Sequence, residues 1–271
     1  DLVEHSTIAG IAAVYLPEYY EAETAIAARI RAMAQHPPAP LPDAERVLQG
    51  IEAIEGITYA ERQRDAIRMA AERRIMILTG GPGTGKTTVL SGILTLFSKL
   101  GRKTLLAAPT GRAAKRLSEL TGRDAATVHR LLEAQVSPEN GEMFFARNED
   151  EPLECDAVIV DEMSMVDVLL MHSLLEALPQ EACLVLVGDP DQLPSVGAGN
   201  LFSDLIRSGI VPSVCLTEIF RQARQSLIVM NAHAVNRGEL PVLTAKDRDC
   251  FFLRRRAPAQ LVQTVCELCA R

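Results

Sequence analysis

Two segments of this chain carry residues suited to gripping a polyphosphate and a metal ion. Gly80-Gly81-Pro82-Gly83-Thr84-Gly85-Lys86-Thr87-Thr88 follows the apolar run IMILT and precedes an amphipathic stretch. Glycines in this spacing let backbone N–H groups turn inward onto phosphate oxygens, and a following helix N-terminus adds a favourable dipole. The pattern Gly80-x4-Gly85-Lys86-Thr87 assigns the β- and γ-phosphates to Lys86 and an Mg2+ ligand to the Thr87 hydroxyl. About 75 residues later, Asp161 and Glu162 end the apolar run AVIV. A buried strand there would deliver both carboxylates to its C-terminal edge, where ligands bind in open parallel sheets. Asp161 would hold Mg2+ through water, and Glu162 would orient or deprotonate an attacking water.

Two further groups could sense a terminal phosphate. Gln192, in GDPDQ (188–192), follows another apolar strand, and an amide can both donate and accept there. Arg221, in IFRQ (219–222), offers a planar, permanently charged guanidinium suited to phosphoryl oxygens.

These residues need a frame that presents strand ends side by side. Apolar strands are expected at 75–80, 103–109, 156–162, 182–189 and 214–220. Helices are expected at about 85–100, 111–121, 166–177, 199–208 and 226–237. Continuous apolar strands alternating with helices imply an α/β fold with a parallel sheet covered on both faces. Before it, a helix is expected over 15–35, a proline-rich linker at 36–42, and a short helix over 43–56 stopped by Gly56. Thr58-Tyr59-Ala60-Glu61 reads as a capping box opening a helix to about Arg73. The stretch 134–147, with Pro138 and Asn140-Gly141, reads as a hairpin set into the core. The expected organisation is a helical segment and linker (1–56), a first α/β domain (57–213), and the beginning of a second (214–271).

Composition sets bounds. Hydrophobic residues are 48% and aromatics only 4%, without Trp, so the core must be aliphatic. No apolar run approaches the ~20 residues of a membrane helix. The opening DLVEHSTIAG lacks the basic and apolar regions of a signal peptide and a starting Met, which suggests a fragment. Cys155, Cys183, Cys215, Cys250, Cys266 and Cys269 show no paired metal-ligand spacing, and the lone C-x-x-C reads as packing rather than redox chemistry. A reducing, cytoplasmic setting with no membrane contact is expected. The net charge is −7 but uneven. Residues 139–167 carry ten acids against Arg147, whereas 111–130 carries Arg112, Lys115, Arg116, Arg123 and Arg130 against two acids. A local basic track is therefore compatible with overall acidity.

GGPGTGKTT (80–88), AAPTGRAAKRL (107–117), ATVHRLL (126–132), VIVDEMSMVD (158–167), LVGDPDQLPSVGAGN (186–200) and LTEIFRQ (216–222) together resemble the RecD/TraA group of superfamily 1 DNA helicases, which includes exodeoxyribonuclease V alpha-chain-like proteins. The resemblance covers about 55–240 and implies a RecA-like core that couples ATP hydrolysis to 5′–3′ translocation on single-stranded DNA. It also implies unwinding at duplex junctions and companion recombination or repair subunits. It marks Gln63 as the adenine-reading glutamine, beside a nucleotide cradle of Gly81, Pro82, Gly83, Thr84, Gly85, Lys86, Thr87 and Thr88.

The resemblance further places Pro109, Thr110 and Arg112 in a first DNA-contact motif and Thr127 and His129 in a second. His129 is equally readable as a core or capping residue. Asp191, Pro194, Ser195 and Val196 lie in a loop within reach of DNA. The 134–147 hairpin stands where some relatives carry a duplex-splitting pin, with Phe144 and Phe145 either stacking on a base pair or packing on the core.

In such motors a second domain supplies a further arginine, and Arg254-Arg255-Arg256 do not fit that motif. The chain alone is therefore expected to bind Mg·ATP but to hydrolyse it slowly and not to unwind DNA. The alternative is a nucleotide-binding switch or scaffold that does not translocate. No second carboxylate cluster suggests a nuclease, and no N-K-x-D segment suggests a GTPase.

Overall fold

The computed structural model describes residues 3–8, 10–138, 141–245 and 248–270. It divides into two compact units, Asp1–Glu218 and Ile219–Arg271.

The first unit opens with an antiparallel hairpin, β1 (Glu4–Ile8) and β2 (Ile11–Tyr15). Then come α1 (Pro17–Gln35), with the proline at its first turn, and α2 (Ala44–Glu55), ended by Gly56 in the left-handed region. α3 (Glu61–Glu72), β3 (Ile75–Gly80) and α4 (Lys86–Lys99) carry the glycine loop. β4 (Thr104–Ala108), α5 (Gly111–Thr121), β5 (Ala125–Thr127) and α6 (Val128–Leu131) follow. A small hairpin, β6 (Ala134–Val136) and β7 (Met143–Phe145), leads to β8 (Ala157–Val160). A 3-10 turn (Met163–Met165), α7 (Val168–Ala177), β9 (Cys183–Gly188), α8 (Leu201–Ser208) and β10 (Ser213–Leu216) complete the unit.

Six strands form one parallel sheet in the order β10-β3-β9-β8-β4-β5. Alternation along each strand separates two cores. Ile75, Ile77, Val158, Val160, Leu184 and Leu186 face one way, with α1, α7 and α8 over them. Met76, Leu78, Ile159, Val185, Val187, Val214 and Leu216 face the other way, beneath α2, α3 and α4. β3, β8 and β9 are buried along their full length, as strands covered on both faces must be.

Several boundaries differ from the sequence expectation. The segment 1–56 is not a separate piece: Ile26 and Met33 of α1 join one core, and Leu48 and Ile51 of α2 join the other. The strand expected over 214–220 ends at Leu216 and extends the first sheet beside β3, so the first unit runs through Glu218 rather than ending at 213. The capping box expected at Thr58 is absent. Ala60 is the N-cap of α3, and Gln63 Oε1 accepts from its backbone N–H at 3.0 Å.

The second unit contains α9 (Arg221–Gln225), α10 (Leu227–Asn236) and α11 (Pro258–Cys269). Asn231 of α10 donates to the Val242 carbonyl at 3.2 Å and accepts from its N–H at 2.8 Å. Asp249 accepts from Ser226 Oγ at 2.5 Å and Leu227 N–H at 2.7 Å, and the serine bond holds its carboxyl below the usual range.

Candidate nucleotide site

β3 and β9 are neighbours with Thr79 opposite Gly188, and β8 lies next to β9 with Val160 opposite Leu186. The loops leaving these three strands therefore emerge at one edge, with the ends of β3 and β8 about 10 Å apart, two strand spacings. This register brings the glycine loop, Asp161-Glu162 and Asp189–Gln192 together.

The loop 81–85 is closed on itself. Gly85 has φ +86°, which an L side chain adopts only with strain. Gly80 is required by space: a Cβ there would lie 2.7 Å from the Leu216 carbonyl oxygen and 2.6 Å from Thr84 Oγ1. Buried Thr84 donates to the Gly81 carbonyl at 2.9 Å. Lys86 Nζ donates to the Gly80 carbonyl and, at 3.2 Å, to the Gly81 carbonyl. The ammonium is thus held over the loop by weak neutral acceptors that phosphate oxygens can displace. Thr87 and Thr88 are exposed at the first turn of α4.

Asp161 is pushed above its ordinary range chiefly by burial and further by Glu162, while a hydrogen bond from the Glu162 N–H and the charges of Lys86 and Arg116 oppose this. That N–H donates to Asp161 Oδ1 at 2.9 Å. Glu162 itself sits at φ +55°, a left-handed conformation that costs a non-glycine residue roughly 1 kcal/mol. This strained residue directly follows the half-buried Asp161 carboxylate at the strand edge. Sequence reading did not anticipate it, since neither Glu nor its neighbours favour that region.

Gln63 is 3% exposed, and its Nε2 is buried without a hydrogen-bond partner among the described residues. An amide with one end fixed and the other unsatisfied is suited to a ligand atom, so the residues present fit an adenine nucleotide at both ends. Gln192 is exposed, with its N–H on the Asp189 carbonyl at 3.2 Å. Asp189 is buried and accepts from the Asp191 N–H at 3.1 Å. Arg221 belongs to the second unit, and its side chain lies outside the described residues.

Further along the same edge, Ala108 of β4 lies opposite Thr127 of β5. Pro109 and Thr110 are thereby set beside Thr127 and Val128. Both threonines cap helices: Thr110 Oγ1 accepts from Ala113 N–H at 3.2 Å and Thr127 Oγ1 from Arg130 N–H at 3.1 Å. Arg112 is exposed in the first turn of α5. The His129 ring lies 5.8 Å from that of Phe145, tilted by 56°, whereas Phe144 is exposed. Ser195 is turned into its own loop, donating toward the Gly197 and Gly199 carbonyls at 3.1 and 3.3 Å. Its hydroxyl proton is thereby committed within the loop. A separate cavity of about 540 Å3, lined by Arg29, His172, Glu176 and Leu178, opens where α1 meets α7 and the approach to β9, at the opposite edge from the glycine loop.

A parallel sheet with a glycine cradle at one strand end and a carboxylate pair at another defines a P-loop NTPase of the RecA-like type. The family profile described as "AAA domain" matches residues 63–198. The chain belongs to that family. It is 41% identical over 228 residues to the "ATP-dependent RecD2 DNA helicase" of Deinococcus radiodurans, a match covering 84% of this chain and 30% of that protein. It is 37% identical over 217 residues to the "RecBCD enzyme subunit RecD" of Mycolicibacterium smegmatis, covering 71% of this chain and 37% of that one. The chain thus spans only about a third of the length of these relatives. The crystal structure of a Pif1 helicase from Candida albicans aligns with a TM-score of 0.50 at 22% identity, over 70% of this chain and 50% of that one, which shows a shared fold. No described helix is long and apolar enough to cross a membrane.

Proposed function

We propose that this chain carries the nucleotide-binding domain of an ATP-dependent DNA helicase. The protein would translocate 5′ to 3′ on single-stranded DNA and open duplex junctions during recombination or repair in the cytoplasm, alongside other subunits of such machinery. The observation that carries this reading is the convergence, at one sheet edge, of the self-closed glycine loop and the half-buried Asp161-Glu162 pair, with Glu162 in a left-handed conformation.

In this reading Gln63 reads adenine, the backbone of Gly81–Thr88 wraps the phosphates, and Lys86 neutralises the β- and γ-oxygens. Thr87 and Asp161 hold Mg2+, which supplies charge neutralisation at the phosphates. Glu162 orients the attacking water and takes its proton, and Gln192 senses the terminal phosphate. Arg221 adds positive charge to the phosphoryl group. The caps at Thr110 and Thr127, with Pro109, Arg112 and His129, face the phosphodiester backbone, and Ser195 joins them through its carbonyl-anchored loop. The β6–β7 hairpin acts as the pin, with exposed Phe144 at the base pair. Residues 219–271 begin a second RecA-like domain, whose arginine is needed for fast turnover.

The test is ATP turnover of the full-length protein with and without single-stranded DNA, for the parent and for Lys86→Ala and Glu162→Gln. Stimulation by DNA that both substitutions abolish supports the helicase reading. ATP binding with turnover indifferent to DNA would replace it with a nucleotide switch.

A further inference from the structure

α2 contains none of the phosphate, metal or base-reading residues, yet it is bonded to both helices that do. Glu52, with its side chain 14% exposed, accepts from the Tyr59 N–H at 3.0 Å, and Arg64 lies 3.8 Å from the same oxygen. Tyr59 directly precedes Ala60, whose N–H is held by Gln63 Oε1 at 3.0 Å. Two hydrogen bonds and one peptide link therefore connect Glu52 to the amide whose other end is unsatisfied.

One turn further along α2, Glu55 reaches α4. Its Oε2 accepts from Ser91 Oγ at 2.9 Å, and its Oε1 accepts from Thr95 Oγ1. These hydroxyls lie on successive turns of the helix that begins at Lys86. Tyr59 fills the space between: a Cβ on Gly92 would meet the Tyr59 hydroxyl oxygen at 2.5 Å, so α4 presents bare backbone to it. Buried Leu48 and Ile51 complete the contact.

We propose that Glu52 is a positioning residue that sets the base selectivity of the nucleotide site, with α2 bracing the base-reading end on α3 against the phosphate end on α4. This rests on the reading of Gln63 as the adenine contact. Base discrimination needs the Gln63 amide within a fraction of an ångström of its partner. Without the Glu52 acceptor, the first turn of α3 keeps the Arg64–Glu45 pair to α2 but loses the bond at its entry, whereas the phosphate loop keeps its own internal bonds.

The test uses the 271-residue chain with fluorescent ATP and GTP analogues, and tripolyphosphate as competitor. Glu52→Ala is expected to lower the ATP:GTP affinity ratio about fivefold and to leave tripolyphosphate affinity within about twofold. Glu52→Gln, which keeps an acceptor oxygen, should restore most of the ratio. A parent-like ratio in folded Glu52→Ala, even with a lowered melting temperature, overturns the proposal by showing a merely structural role. If that variant does not fold, Glu52→Asp, whose shorter side chain withdraws the acceptor, should lower the ratio about twofold, and a parent-like ratio there overturns it equally. Gln63→Ala separates the two readings. If it leaves the ratio unchanged, the adenine reading itself fails. If it collapses the ratio while the Glu52 variants do not, only the positioning role fails.

Discussion

Two loops leave neighbouring strands at the same edge of the sheet, and they are built in opposite ways. The loop after β3 is short and closed by its own hydrogen bonds from Thr84 and Lys86. The loop after β9 runs from Asp189 to Asn200 and is open: Leu193 is 85% exposed and Val196 fully so. It is held by Asp189 at one end and, toward the other, by the Ser195 hydroxyl on the Gly197 and Gly199 carbonyls and by those glycines against Asp167 and Val168. A cradle for phosphates benefits from being formed before the ligand arrives, because little ordering then opposes binding. In the proposed reading, the loop carrying Gln192 reports whether a terminal phosphate is present, and such a loop needs unfilled space around it.

Substitutions can break this contrast, beginning with the largest effect. Gly80→Ala drives a methyl into the Leu216 carbonyl and should destabilise the chain by about 3 kcal/mol, read by denaturant unfolding. An unchanged midpoint would mean the cradle is not close-packed against β10. Lys86→Ala should weaken nucleotide binding by about 10- to 100-fold, measured by fluorescence titration, whereas Gln192→Ala should change affinity by less than about threefold. Equal losses in the two variants would erase the distinction between cradle and sensor.

A third test concerns the support behind the cradle. Burial first, then Glu55 and Glu52, push the Tyr59 hydroxyl up to about 12. The folded chain keeps this proton where an unfolded one releases it near pH 10, so the contribution is complete below pH 10 and is lost as pH rises through about 12. Tyr59→Phe should flatten the alkaline decline of the melting temperature and change neutral stability by no more than about 1 kcal/mol, since the hydroxyl has no partner among the described residues. The smallest effect is expected in the open loop: Val196→Ser should shift stability by less than about 0.5 kcal/mol in the same unfolding assay.

The central strands were legible because burial on both faces demands continuous apolar runs, and IMILT, AVIV and CLVLV are such runs. The glycine loop was legible because its chemistry admits few other residues. The β1–β2 hairpin was not, because none of its residues is buried and EHSTI carries no clear alternation. β10 was read into the wrong domain because VCL looks alike whether it opens a new sheet or closes an old one; only pairing with β3 decides. The Thr58 capping box failed for a specific reason. Glu52, distant in the local pattern, takes the Tyr59 N–H, and Gln63 takes the next, so the helix starts two residues later. Contacts of that kind, between Glu52 or Glu55 and other helices, leave no periodic trace in sequence.

The position of β10 has a mechanical meaning. Its residues pair in parallel with β3, Leu216 opposite Gly80, and the chain runs on from its end into Ile219–Arg271. A pull directed along the strand axis would load the β10–β3 hydrogen bonds in shear, so that they yield together rather than one by one. The strand beside the glycine loop is thereby an anchor, with its last paired residue, Leu216, against the backbone of Gly80.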